Sequence, residues 1–306
     1  MKTIKSILSL AVVALAMAGC SEDYPLKEEQ YKKVVYLTRA IDEVKHEYVN
    51  YAYERDTVYV SVSVSGSKYT DRDIRVTFRE DDDAIPAYNK RNLSASDIQN
   101  RRLPAEAYEY PQKDIVIKAG ETTAIYPVYI YPKKLHCDSL YMIPVSIESV
   151  SAYEMRTNID TVLLAKINMV NNYSGKYHIR GTITNLEAGS VQAYDVPRSL
   201  TATNSNSVRM FHEVPETKTY LQTNTLTISV NSDQSLSFNT WWSFDLTSGG
   251  GKYLADKKLF DLWYEYKVGN VSYRVEGYLY EVPETELEQE DIDDWIDEQL
   301  RLKEEE

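Results

Sequence analysis

The sequence is poor in the residues that build stapled or reactive sites. Its 306 residues include 2 Cys, 4 His, 4 Trp and 5 Phe. One cysteine, Cys20, directly follows the amino-terminal leader and is taken up by the lipobox described below, so Cys137 has no intramolecular partner and a disulfide framework is excluded. His136 beside it points to the opposite face of a strand, so Cys137 reads as a structural thiol and not as a nucleophile. His46, His136, His178 and His212 are scattered singly, which argues against a histidine metal site. Basic residues are also in deficit, 34 Lys and Arg against 47 Asp and Glu, and the net charge of −13 excludes a nucleic-acid binder. With a mean hydropathy of −0.46, the chain is no multi-span membrane protein. It has no His-Glu-x-x-His, no Gly-x-Ser-x-Gly and no phosphate-cradling glycine loop. The expectation is a protein without catalytic residues, metal or cofactor.

Tyrosine is abundant, at 26 residues, and suits sheets that face solvent. A 43% hydrophobic content over this length supports two domains with adequate cores. The negative charge is unevenly placed. From Glu284 to Glu306, twelve carboxylates face only Arg301 and Lys303, so this tail alone carries −10.

The amino terminus reads as an address. Lys2 and Lys5 precede an apolar run from Ile7 to Ala18, too short to span a bilayer, which needs about 20 apolar residues. Residues 1–19 are therefore expected to be a signal peptide. Ala18-Gly19-Cys20 resembles the bacterial lipobox, which makes Cys20 the expected lipidation site. Ser21-Glu22-Asp23 resembles the acidic signal that exports Bacteroidota lipoproteins to the cell surface. Several acyl chains at Cys20 anchor a protein firmly to the outer membrane. Residues 20–33 form the lipidated end and a linker.

Residues 34–170 read as short strands. Val34–Leu37, Thr57–Val64, Ile74–Phe78, Asp114–Ile117, Thr123–Ile130, Tyr141–Ile147 and Thr161–Ile167 are separated by turn signals, which indicates an Ig-like β-sandwich. Polar Ala87–Tyr108 is expected to be a helical crossover. Its basic cluster, Lys90, Arg91, Arg101 and Arg102, balances Glu80-Asp81-Asp82-Asp83. The three aspartates lack the glycine and spacing of a calcium loop.

Asn171–Gly175 breaks the pattern, and residues 171–283 form a second antiparallel β-domain, a barrel or a sandwich. Its clearest strands are Lys176–Thr184, Ser199–Thr203, Thr225–Val230, Ser235–Phe244, Leu259–Val268 and Val271–Tyr280. Gly269-Asn270 makes a two-residue hairpin, and Gly249-Gly250-Gly251 a flexible loop. Residues 284–306 form an acidic amphipathic helix, capped by Thr285 with Glu288 and striped by Ile292, Trp295, Ile296 and Leu300. The stripe either docks on its own domain or offers an interaction surface. Asp291–Glu298 superficially resembles a chitinase carboxylate motif, but its spacing differs and it lies on a helix.

Sugar rings place apolar C–H faces on aromatic surfaces, so the glycan-binding candidates are the aromatic clusters Trp241, Trp242, Trp263, Tyr264 and Tyr266. On a strand, one of Trp241 and Trp242 enters the core and the other faces out. Asp56-Thr57-Val58, Asp138-Ser139-Leu140 and Asp160-Thr161-Val162 resemble the Bacteroidota O-glycosylation motif, which nominates Thr57, Ser139 and Thr161.

Several segments fall in a familiar order: Val60–Gly66, Tyr88-Asn89-Lys90, Leu103–Tyr108, Ile117–Thr122 and Met142–Ile147. From about Val34 to Val170 the chain resembles domain of unknown function 1735, found in Bacteroidota surface lipoproteins of polysaccharide-utilisation loci. Some of these continue into family 18 glycoside hydrolases. The second half, with Tyr173–Tyr177 and Phe260–Tyr266, resembles domain of unknown function 4361. The resemblance implies a surface accessory lipoprotein of glycan capture and supplies no catalytic residues. The competing expectation is a structural spacer docked on a surface transporter or glycoside hydrolase.

Overall fold

In the computed structural model, which describes residues 28–304 apart from 41–43, 158–160 and 214–215, the chain is mostly β. The leader, Cys20 and Asp160 lie outside the described residues. The first half holds β1 (Val34–Leu37), β2 (Lys45–Asn50), β3 (Asp56–Val64), β4 (Ile74–Glu80), α1 (Ala84–Asn92), β5 (Asn100–Arg102), β6 (Tyr108–Glu109), β7 (Asp114–Ile117), β8 (Thr123–Ile130), β9 (Leu140–Val150), β10 (Glu154–Met155) and β11 (Val162–Val170). They form two curled sheets, β10-β1-β3-β8-β6 and β2-β11-β9-β4-β7, with β5 added beside β9. Val58, Val60, Val62 and Val64 enter the core between the sheets, while the odd residues of β3 face outward, as a period of two requires.

The expected helical crossover is much shorter than Ala87–Tyr108. Asp97 accepts hydrogen bonds from the backbone N and the Oγ of Ser94 (2.7 and 2.8 Å), a local turn that competes with helix. Asn100–Arg102 then pairs in parallel with Leu140–Met142.

The second half holds β12 (Gly175–Asn185), β13 (Val191–Ala202), β14 (Ser207–Phe211), β15 (Thr225–Val230), β16 (Leu236–Thr240), β17 (Leu246–Leu254), β18 (Leu259–Val268), β19 (Val271–Glu281) and α2 (Glu286–Glu304). Its sheet runs β16-β15-β14-β13-β12-β19-β18-β17 and curls until Ser235 bridges Lys252, a nearly closed barrel. Gly269 begins the β18–β19 turn at φ 61°, as a type II′ hairpin requires.

Gly249-Gly250-Gly251 is not the expected loop but part of β17. A Cβ on Gly249 would lie 2.6 Å from the Phe238 ring, and one on Gly250 would press on Trp263. The glycines let this edge strand close onto its neighbours. Inside the barrel, Tyr177, Phe260, Leu262 and Tyr264 are buried with Leu226 and Ile228.

The acidic helix α2 lies along the barrel's outer wall. Ile296 is 0% exposed and packs on Leu259, Tyr278 and Tyr280, while Ile292, Trp295 and Leu300 flank it. Arg180 pairs with Asp293 (2.9 Å) and Asp297 (2.6 Å), and Lys303 with Asp261 (2.9 Å). Glu288 N donates to Thr285 Oγ1 at 3.3 Å, so the expected cap forms. Of the two alternatives for the stripe, docking on its own domain is the one observed.

The halves meet through polar contacts. The Asn171 side chain donates to Asn204 O and Ser207 O (2.7 and 2.8 Å), and Arg209 of β14 forms a nearly buried ion pair with Asp138.

Candidate glycan-binding cleft

A cleft of about 650 Å³ lies on the outer face of the second sheet, beneath α1. That is within the range of about 300–1,000 Å³ typical of small-molecule sites. One face of α1 is pinned to the domain: Ile85 is buried, and Asn89 Nδ2 donates to Asn100 O at 2.7 Å. The helical period then turns Ala84, Ala87, Tyr88, Arg91 and Asn92 to the cleft. Val162 and Leu164, outward residues of β11, line it from the sheet, with Asp81, Asp83 and Thr161 among the polar groups. Apolar surface, one tyrosine ring, amide, guanidinium and carboxylates make a set suited to a saccharide, which is apolar on ring faces and hydroxylated at its edges.

The basic cluster balances the acidic run only in part. Arg102 pairs with Glu80 (2.8 Å) and Asp82 (2.6 Å), and Arg101 stacks 4.9 Å over Tyr141, whereas Arg91 remains in the cleft.

The aromatic candidates separate. Tyr264 is 0% exposed and Tyr266 is buried beside it, both inside the barrel, so neither can meet a ligand from solution. This corrects their nomination: β18 turns its even residues inward. Trp263 faces out, but it packs against Gly250 and carries the Arg274 guanidinium 4.4 Å over its ring, so it forms no free platform. Trp241 and Trp242 lie not on a strand but in the bend after β16. Trp241 sits at the domain junction, with Arg209 5.4 Å over its ring and His136 6.4 Å away. Trp242 is 58% exposed. The expected strand alternation with one Trp in the core is not observed: in the bend Trp241 is half-buried at the junction and Trp242 is exposed.

Thr161 is exposed at the cleft, Thr57 is half-buried on β3, and Ser139 is half-buried and hydrogen-bonded to Arg101. Cys137 is half-buried, and burial, with Asp138 adding, pushes its thiol up to about 11. His136, Cys137 and Asp138 hold their donor atoms within 4.8 Å of one another. Arg209 occupies the Asp138 carboxylate, which leaves the trio poorly placed to hold a metal.

Sequence reasoning missed a buried polar cluster inside the barrel. His212 Nδ1 bonds the Tyr264 hydroxyl at 2.7 Å, and Arg198 Nη2 donates to Tyr194 Oη and His212 O (2.8 and 2.7 Å). Burial, then Arg198, lowers His212 to about 3, so it is a neutral core residue at ordinary pH. It also missed Asp81, Asp83 and Asn92 as cleft residues. The only signal for them was the apolar Ile85 opposite a polar face one helical period wide.

Two family models fall on the two halves in turn. One for an N-terminal domain matches residues 31–154, and one for a C-terminal domain matches residues 161–280. Among solved structures, a Bacteroides ovatus protein of unknown function shares 18% identity and a TM-score of 0.62, over 83% of this chain and 98% of its own. A Bacteroides ovatus multidomain protein including domain of unknown function 1735 shares 18% identity and a TM-score of 0.59, over 82% of this chain and 94% of its own. An auxiliary nutrient binding protein from Bacteroides thetaiotaomicron shares 16% identity and a TM-score of 0.57, over 77% of this chain and 89% of its own. These likenesses establish the fold. No curated protein matches the sequence.

Proposed function

We propose that this protein is a non-catalytic lipoprotein, anchored through Cys20 at the outer membrane and exposed at the cell surface, where it captures a glycan for uptake. The observation that carries this reading is the cleft under α1, with Val162 and Leu164 on one side and Tyr88, Arg91, Asn92, Asp81 and Asp83 around it. The auxiliary nutrient binding role named for one solved relative supports it. The spacer alternative drew on a free α2 stripe, and that stripe is spent on the barrel wall.

Affinity electrophoresis of the mature protein against a polysaccharide panel tests the reading. We expect retardation by a glycan, relieved by Tyr88→Ala combined with Arg91→Ala; no retardation by any glycan overturns it. Anchoring is checked by fractionation, where Cys20→Ala is expected to leave the membrane. Intact mass of the exported protein checks Thr57, Ser139 and Thr161, with hexose increments expected if they are modified.

A further inference from the structure

We infer that the outward face of the first sheet is a second saccharide platform, separate from the cleft, that takes a stretch of neutral polysaccharide chain. The inference rests on the glycan-binding reading and extends it to a surface that the cleft does not include.

The face is built by register. In the β3–β8 pair, Thr57 stands opposite Tyr129, Tyr59 opposite Pro127, Ser61 opposite Ile125 and Ser63 opposite Thr123. The even residues of both strands are buried, so these side chains face outward together. Tyr59 is 51% exposed and Ile125 58% exposed, although a large apolar side chain on a paired strand ordinarily finds cover. Arg55 lies 4.1 Å over the Tyr129 ring and steadies it. At the other end, Thr38, Ser63 and Thr123 form a hydroxyl row with successive oxygens 3.0 Å apart.

The charge pattern selects the occupant. Charged residues make up 26% of the chain, yet every outward position of β3 from Thr57 to Ser63 and of β8 from Thr123 to Tyr129 is uncharged, and the flanking charges Arg55 and Glu109 gather at the Tyr129 end. A neutral sugar chain matches an uncharged strip. Its C–H faces meet Tyr59, Pro127 and Ile125, and its hydroxyls meet the Ser and Thr row. Six residue steps along β3 span about 20 Å, long enough for several rings in line. The cleft is a compact pocket and suits a chain end or a branch.

The test uses the mature protein and two variants. One is Tyr59→Ala/Ile125→Ser/Tyr129→Ala on the face; the other is Tyr88→Ala/Arg91→Ala in the cleft. Retention is measured on starch, mannan, xylan and galactan, and titration on a short oligosaccharide of whichever polysaccharide binds. The face variant, with an unchanged melting temperature, is expected to lose about tenfold in affinity for the polysaccharide while binding the oligosaccharide as the parent does. Tyr59→Phe, which keeps the ring, is expected to retain binding. A face variant that holds the polysaccharide like the parent overturns the platform and leaves the cleft reading standing. A parent dimer that the variant makes monomeric assigns the face to a second copy and also overturns it. A parent that binds none of the four polysaccharides removes the glycan reading itself, and the platform with it.

Discussion

The two halves of the molecule both bury tyrosine, Tyr126 and Tyr141 in the first as Tyr177 and Tyr264 in the second, but differ in how many they leave exposed: Tyr31, Tyr48, Tyr53, Tyr59 and Tyr69 against Tyr220. In the barrel, tyrosines turn inward or lie under a helix: Tyr177 and Tyr264 fill the interior, and Tyr278 and Tyr280 are roofed by α2. In the sandwich, Tyr59 stands in the open on a sheet face and Tyr88 lines a cleft. A nearly closed barrel turns the tyrosines of its strands inward or under a helix, whereas two open sheets leave outer faces and a helix-covered cleft to offer. On the function proposed above, the difference would put recognition on the first half.

The contrast breaks most visibly under mutation of the barrel core. Phe260→Ala should cost about 3–5 kcal/mol in urea unfolding, because it empties a closed interior. Tyr59→Ala, on the open face, should stay within about 0.5 kcal/mol. Equal losses at the two sites would erase the distinction. Next in size is the junction. Arg209→Ala strands the Asp138 carboxylate and should cost about 3 kcal/mol, splitting one unfolding transition into two. A single, unshifted transition would mean that the halves are coupled elsewhere. Ile296→Ala should cost about 2 kcal/mol and expose Tyr278 and Tyr280 to proteolysis or oxidation while leaving glycan retention intact.

The smallest effect is that of acid. Burial tends to raise Asp293, but hydrogen bonds from Gln289, Arg180 and Tyr280 outweigh it and hold its pKa below the ordinary 3.8. A carboxylate depressed in the folded state adds stability that is present above its unfolded pKa and lost as pH falls through the folded one. The helix should therefore loosen from the barrel only below about pH 4, seen as loss of helical circular dichroism, and Asp293→Asn should remove that step.

Much of this architecture was legible because alternation reports burial directly. Thr57–Val64 and Leu259–Val268 fix both face and register from their own pattern. The α2 stripe likewise marks Ile296 as the contact residue. What escaped was set by neighbours. Glycine reads as loop, yet β17 needs Gly249 and Gly250 to admit Phe238 and Trp263. β2 and β14 carry polar residues in strands held by their partners, and neither has a clean alternation to read. The aromatic density around Trp263–Tyr266 suggested a binding patch, but inward-facing tyrosines carry the same letters as outward ones. The cleft depends on α1 lying across β11, a contact between residues about seventy positions apart that no local pattern encodes.

The central claim is that the sandwich, and not the barrel, touches the glycan. Oxidative footprinting of the mature protein, with and without the polysaccharide that retards it, tests this side chain by side chain. The account predicts protection at Tyr88 and Tyr59 with Trp242 and Trp263 unchanged. Protection at Trp242 or Trp263, with Tyr88 and Tyr59 as reactive as in the free protein, would contradict it.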